Sequence, residues 1–347
     1  MKVNKFDLQL VKYITQNEIS SFSSLEQYFE KDKATIYRSL QRSFSYISKY
    51  KHLSQPTVPN LFDIEYSDYI RLINTLDLAS YKPNQKQRVE CVILMLIFNK
   101  VMSKQEIYKI IGVSVSTLKN DTQILSQVLA RANLSLVTHR RKGTELTGNE
   151  LGIRLLVTMQ LIKLSQLDQN LCLNSKITNN PIEKILFDVF YNKCSDYLTV
   201  SKEQLTRVIS DKKVSLDYNS RKFMMIYLIV SNFRVSQGHK IERKNLPKLP
   251  WHDSVLLEEK SDNENRVLSS IFYSLTFKKG QYLCYDSKLL KAVREFLTSI
   301  QRNFITDIKD SLALESDIYL LMKNIISRKK LGFNFSENKH NDIYKTK

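Results

Sequence analysis

Seven glycines and six prolines are spread over 347 residues, and this shortage of turn formers constrains the fold more than any other feature of the chain. A sandwich or barrel reverses direction about every ten residues and draws on Gly and Pro each time it does so. A chain this poor in both is expected to be mainly α. Hydrophobic residues make up 42% and charged residues 25%, with 18 Tyr and 16 Phe, so there is ample material for packed cores. The length allows several domains of ordinary size.

Several functional classes are excluded at this level. The most apolar stretch, Val89 to Phe98, is only about ten residues long and follows Lys86, Gln87 and Arg88, which reads as a buried helix and not a membrane span. The start, Met1 to Asp7, lacks the apolar segment of a signal peptide. Cys91, Cys172, Cys194 and Cys284 lie far apart with no paired spacing. They read as reduced, mostly buried thiols of a cytoplasmic protein, with neither a disulfide frame nor a metal site. No Gly-rich phosphate loop, HExxH or GxSxG motif occurs. His239, between Gly238 and Lys240, reads as a surface histidine, and the pairs Lys212-Lys213, Lys278-Lys279 and Lys329-Lys330 as solvated faces. The expectation is a protein that is not an enzyme and carries no cofactor.

The formal net charge of +18 points to a polyanionic partner, most simply nucleic acid. Its distribution does not locate the surface. Residues 1–150 hold 21 basic and 14 acidic side chains, and residues 151–347 hold 32 and 21.

Periodicity divides the chain further. Residues 1–52 hold three amphipathic helices, with apolar faces at Phe6, Leu10, Tyr13 and Ile14, at Leu25, Tyr28 and Phe29, and at Ile36, Leu40, Phe44 and Ile47. Residues 53–83, with Pro56, Pro59, Pro83 and an acidic helix bearing Asp63, Glu65, Asp68 and Asp77, read as a connector. Residues 84–150 repeat the pattern with helices at 86–99, 103–111 and 115–131. From 150 onward helix follows helix, with breaks at Asn179-Asn180-Pro181 and from Pro247 to Trp251, dividing the rest at about residue 250. The tail, 336–347, is polar and expected to fray. An 82-residue displacement sets Leu25 on Ile107, Tyr28 on Ile110, Phe29 on Ile111, Thr35 on Thr117 and Ile36 on Leu118, the positions that form the core of a helix-turn-helix.

In the second unit Ser103 and Glu106 form a capping box. Ile107, Ile110 and Ile111 make a buried face, Gly112 permits a left-handed turn, and Ser114 or Ser116 caps the next helix. The early residues of that helix are the ones a helix-turn-helix presents to base edges in the major groove. They are Ser116, Thr117, Lys119, Asn120 and Gln123. Asn and Gln can pair with adenine in two places, and Lys can reach guanine or a phosphate. An ordinary helical hairpin with a polar solvated face would show the same helices, so the next segment decides. Leu134 to Thr138 alternates like a strand, His139, Arg140, Arg141, Lys142 and Gly143 make a basic turn, and Thr144 to Leu146 can return as a second strand. A cationic hairpin behind a reading helix is the layout of a winged helix, whose wing meets phosphates or the minor groove. In the first unit Asp32, Lys33 and Ala34 stand where a glycine-containing turn is usual. Its reading helix carries Thr35, Tyr37, Arg38, Gln41 and Arg42 in a basic strip with six basic residues and one acid from Lys31 to Lys51. A packing or dimerisation domain is the alternative for this unit.

The run from Ser116 to Leu129 (STLKNDTQILSQVL), then NLSL from Asn133, then GTELTGNELGIR from Gly143 to Arg154, resembles the end of the DNA-binding region in regulators carrying phosphotransferase-regulated domains (PRDs). These are the MtlR-like and BglG-like regulators and the Mga-like virulence regulators of Gram-positive bacteria. Arg88 also sits where they often carry an arginine. More weakly, Ile185 to Phe190 with Lys222 to Ile241 resembles the end of a first PRD, and Phe296 to Phe333 the close of a second. The resemblance implies two N-terminal helix-turn-helix domains, the second winged, followed by PRD-like helical bundles at 151–250 and 251–347. It also implies a cytoplasmic, sequence-specific activator that binds duplex promoter DNA, forms a homodimer through its C-terminal helical domains and contacts RNA polymerase. An RNA-binding antiterminator and a module acting through mixed dimers are the alternatives. One departure stands out. The family's phosphorylatable histidine lies about two helical turns before the arginine now at Arg234 or Arg328, where this chain has Tyr227-Leu228-Ile229 and Leu321-Met322-Lys323. His52, His139, His239, His252 and His340 all miss those places, so control by histidine phosphorylation is not expected. Larger members continue into phosphotransferase-like domains, which this chain is expected to lack.

Overall fold

The computed structural model describes residues 2–17, 19, 21–51, 61–99, 102–140, 143–213, 216–246, 257–275, 286–304 and 311–333. It is mostly helical, as the scarcity of turn formers implies. Helices α1 (Lys5–Asn17), α2 (Phe22–Phe29) and α3 (Lys33–Lys51) make the first unit. The residues spaced three and four apart, Leu10 and Ile14, Leu25, then Ile36, Leu40, Phe44 and Ile47, are all buried. A polar tie crosses this core. Asp7 on α1 is fully buried and accepts hydrogen bonds from Ser39 Oγ at 2.5 Å and from Arg42 Nη2 at 2.7 Å on α3. The turn between α2 and α3 is made at Glu30, with φ at 52°, and not at Asp32 to Ala34. Asp32 caps α3 instead, accepting from the Thr35 amide at 2.7 Å and its hydroxyl at 2.9 Å.

The stretch read as a connector does more than connect. It contains α4 (Tyr66–Thr75), which packs on α1 and α3 through Tyr69, Leu72 and Ile73. It ends in β2 (Tyr81–Lys82), paired in parallel with β1 (Val3–Asn4). Pro56 and Pro59 lie outside the described residues.

The second unit holds α5 (Gln85–Phe98), α6 (Lys104–Ile110), α7 (Val115–Arg131) and the antiparallel strands β3 (Leu134–His139) and β4 (Gly143–Gly148). The 82-residue displacement holds in three dimensions. α2 starts at Phe22 and α6 at Lys104, α3 at Lys33 and α7 at Val115, and the left-handed residue is Glu30 in one unit and Gly112 in the other. From Cys91 to Phe98 α5 is apolar on all sides for a reason: the helix packs α6, α7 and β4 and also the helices that follow the wing. Phe98 stands 5.7 Å from Phe190 and 5.5 Å from Phe233 among the latter.

Beyond the wing come α8 (Glu150–Leu164), α9 (Pro181–Lys212), α10 (Tyr218–Ser236), α11 (Asp262–Leu275), α12 (Ser287–Phe304) and α13 (Ser311–Leu331). Asn180 caps α9 and Pro181 opens it, where a missing N–H has no partner to lose. α10 is buried without interruption from Lys222 to Ser231, which makes it the central helix against α8 and α9. The expected unbroken succession of helices is corrected at one place. β5 (Ser165–Leu167) and β6 (Leu173–Ser175) form a hairpin after α8, with Leu167 and Leu173 paired and buried. The break from Pro247 to Trp251, Cys284, Lys278-Lys279 and the tail lie outside the described residues.

Candidate nucleic-acid interface

The orientation of α7 follows from one acid. Asp121, the sole acidic residue of α7, faces inward and is 1% exposed. It accepts from Arg88 Nε at 2.6 Å and Nη2 at 2.9 Å on α5, from the Tyr108 hydroxyl at 2.5 Å on α6 and from Gln85 at 3.0 Å. Burial alone would raise the Asp121 carboxyl. The hydrogen bonds from Arg88, Tyr108 and Gln85 outweigh burial and hold it below its ordinary range. With Asp121, Leu125 and Leu129 turned to the core, the opposite face presents Ser116, Lys119, Asn120 and Gln123, all exposed and at the spacing of one helix face. Thr117 is half-buried, and its hydroxyl lies 3.0 Å from that of Ser114, the cap residue. The outward face of α7 therefore carries hydrogen-bonding groups and a cation, and no negative charge.

The hairpin behind α7 is paired along the whole of β3 and β4. Leu134 pairs with Gly148 and His139 with Gly143, and the Leu134 and Leu146 side chains are buried. Thr144 exchanges backbone hydrogen bonds with Met102, so a third segment braces the sheet just before α6. Two glycines are required here. Gly143 has φ at 120° and Gly148 at 135°, and a Cβ on either would come within 2.8 Å of the Met102 backbone or 2.7 Å of the Asn133 carbonyl. His139 and Arg140 are exposed, with His139 Nε2 3.0 Å from Glu145. Arg141 and Lys142 lie outside the described residues.

The first unit presents less. Of its five candidates only Arg38 is exposed. Tyr37 is half-buried 6.3 Å from the Phe22 ring, Thr35 bonds to Asp32, Gln41 is half-buried, and Arg42 is tied to the buried Asp7. Arg42 is thus a structural cation, the counterpart of Arg88. The two units place the same ion pair between first and third helix with its polarity reversed.

A second polar centre lies behind the wing, and the sequence names two of its members, Arg154 and Arg234, without bringing them together. Arg154, one turn into α8, is fully buried. It donates to Glu150 at 2.8 Å, Ser231 at 3.0 Å, Glu264 at 2.5 and 3.0 Å and the His239 carbonyl at 3.0 Å. Glu150 also receives Arg234 at 2.6 Å. Burial pushes the Glu150 carboxyl up, and Arg234 with Arg154 outweighs that and keeps it below its ordinary range. Lys260 donates to Asn232 at 2.7 Å, and burial, aided by Arg154 and opposed by Glu264, brings its ammonium down to about 8. The signal available in the sequence was Glu150 and Arg154, one turn apart at the close of the motif; the other partners of Arg154 are 77, 85 and 110 residues away.

Among the described residues no helix is long and apolar enough to cross a membrane, and no group of His, Cys, Asp and Glu is arranged to hold a metal ion. Cys91 and Cys194 are buried free thiols and Cys172 is an exposed one. Residues 81–161 match the family model of the Mga helix-turn-helix domain, which supports a DNA-binding transcription regulator. The match begins at β2 and runs through the wing into α8. No curated protein matches the chain.

Proposed function

We propose that the chain is a sequence-specific transcription activator of the Mga and PRD type that reads duplex promoter DNA through α7, with the wing on the backbone. The observation that carries this reading is the face of α7 bearing Ser116, Lys119, Asn120 and Gln123, cleared of negative charge because Asp121 is turned inward onto Arg88. Asn120 and Gln123 are the base-reading groups, Lys119 meets guanine or phosphate, and Ser116 and Thr117 bond the backbone. His139, Arg140, Arg141 and Lys142 supply the wing's phosphate contacts. In the first unit Arg38 assists, with Thr35, Tyr37 and Gln41 in lesser roles.

The winged unit at 84–150 is followed by PRD-like domains at 151–250 and 251–347, and the chain forms a homodimer through the latter. Exposed apolar side chains on α12 and α13, among them Phe296, Leu314, Leu321 and Ile325, favour that interface. RNA polymerase is the further partner an activator needs. Tyr227 and Leu321 stand where the resemblance would place phosphorylatable histidines, so another signal controls this chain.

A gel-shift titration tests the reading. Replacing Arg140, Arg141 and Lys142 by Gln should weaken binding evenly across sequences and flatten the salt dependence. Asn120→Ala or Lys119→Ala should change which sequence is preferred. If neither set alters duplex affinity, the assignment of α7 and the wing is wrong. A hairpin RNA that outcompetes duplex DNA would favour antitermination instead.

A further inference from the structure

The two helix-turn-helix units meet along the parallel ladder of β1 and β2, with Val3 opposite Tyr81 and Asn4 opposite Lys82. Side chains alternate across a strand. Val3 and Tyr81 are fully buried, so Lys2, Asn4 and Lys82 turn to the other side. A cleft of about 620 Å³ opens there, between the ladder and the start of α7, and Lys2, Lys82, Arg42, Gly112, Ser114 and Thr117 contribute to its walls.

The charge of this cleft has one sign. Among the described residues no carboxylate lines it. Lys2 and Lys82 are exposed, and neither has an ion pair among the described residues. Arg42 contributes to the wall, but Asp7 at 2.7 Å already matches its charge. Ser114 and Thr117 line the same cleft, with their hydroxyls 3.0 Å apart, and the Ser114 side chain caps no amide of its own helix. Two free ammonium groups and two hydroxyls around an acid-free cleft are the chemistry that receives a phosphodiester. A cation would meet two ammonium groups and, among the described residues, no carboxylate to offset them.

We infer that this cleft receives the sugar-phosphate backbone of the duplex whose major groove α7 enters, with Lys2 and Lys82 as phosphate-contacting residues. The inference rests on the DNA-binding reading above and extends it. Lys2 and Lys82 lie 80 residues apart in sequence, one ahead of the first unit and one at the end of the connector. The ladder brings them to one surface, so the two units hold a single duplex as one body.

The test uses the full chain and a duplex that the unaltered chain enriches from a random pool. Affinity is measured across a salt series for the unaltered chain, for K2Q/K82Q and for K2R/K82R. Each phosphate contact contributes about 0.9 to the logarithmic salt slope, so the glutamine pair should lower that slope by about 1.8. The arginine pair should retain it, and reselection with the glutamine pair should return the same sequence. Both side chains are exposed, so circular dichroism and the Tm of the variants should match those of the unaltered chain. A glutamine pair that binds with unchanged affinity and slope, while the unaltered chain binds well, overturns the cleft and leaves the α7 reading standing. An unaltered chain that enriches no duplex overturns both.

Discussion

A guanidinium without solvent is tolerated only when its N–H groups find acceptors, and Arg154 meets that condition with atoms drawn from α8, α10, α11 and the loop at His239. Removing it would take both guanidinium hydrogen bonds from Glu264 and leave Glu150 with Arg234 alone, two carboxylates that are each less than a tenth exposed. Arg154→Met should therefore lower unfolding stability by about 3–5 kcal/mol, measured by urea titration. A loss below 1 kcal/mol would mean that the carboxylates find other partners. Lys260, at the edge of the same cluster, gives a dependence on pH. Its folded value of about 8 lies below that of a free lysine, so between the two the unfolded chain binds more protons. Stability contributed by this group therefore rises as pH climbs from about 8 toward the ordinary lysine range. Comparing unfolding of the unaltered chain with Lys260→Gln at both ends of that window should show the rise only where the lysine is present. Parallel pH profiles for the two proteins would remove Lys260 from the account.

At the scale of elements, the turns between α2 and α3 and between α6 and α7 solve one problem with different residues. Gly112 and Glu30 both adopt a left-handed backbone, at φ 66° and 52°, and no atom lies within 4 Å of a Cβ added to Gly112. The cost at either position is thus conformational. Glu30→Gly should stabilise the chain by about 1 kcal/mol and Gly112→Ala destabilise it by a similar amount. Gly148→Ala should cost more, because the new Cβ meets the Asn133 carbonyl at 2.7 Å and that backbone cannot yield. Thermal unfolding of the three variants ranks them, and an equal loss from Gly148→Ala and Gly112→Ala would contradict the close approach. The same contrast explains what was legible in the sequence. The second unit announces itself through Gly112, the Ser103 and Glu106 box and the alternation of the wing, all local signals. The first unit hides its turn, since a glutamate in the left-handed region has no sequence signature. The β5–β6 hairpin is equally silent, its strands being three residues each. Nor do Lys2 and Lys82 point to a shared cleft until β1 and β2 pair.

For the whole molecule, the core is continuous from Val3 in β1 to Phe333 after α13, with α5 joining the winged unit to the helices behind it. One element stands apart. α12 packs chiefly on α13 around a small separate cluster of Val293, Leu297 and Tyr319, while α13 reaches the main core through α11 and through Leu331 and Phe333 at its end, Phe333 stacking 4.6 Å from Phe223. So few buried apolar side chains contribute little stabilisation of their own, so α12 can open while α5 and α10 stay folded. Native-state hydrogen exchange should reveal this in dilute solution. Amides of α12 should exchange through a local opening nearly independent of low denaturant, and those of α10 only through global unfolding. The proposed dimer adds a second signature. If α12 and α13 form the interface, protection in α12 must rise with protein concentration while α10 stays constant. Exchange of α12 at the global rate at every concentration would show that this pair of helices is held by more than its small cluster, and the dimer surface would then have to be sought elsewhere.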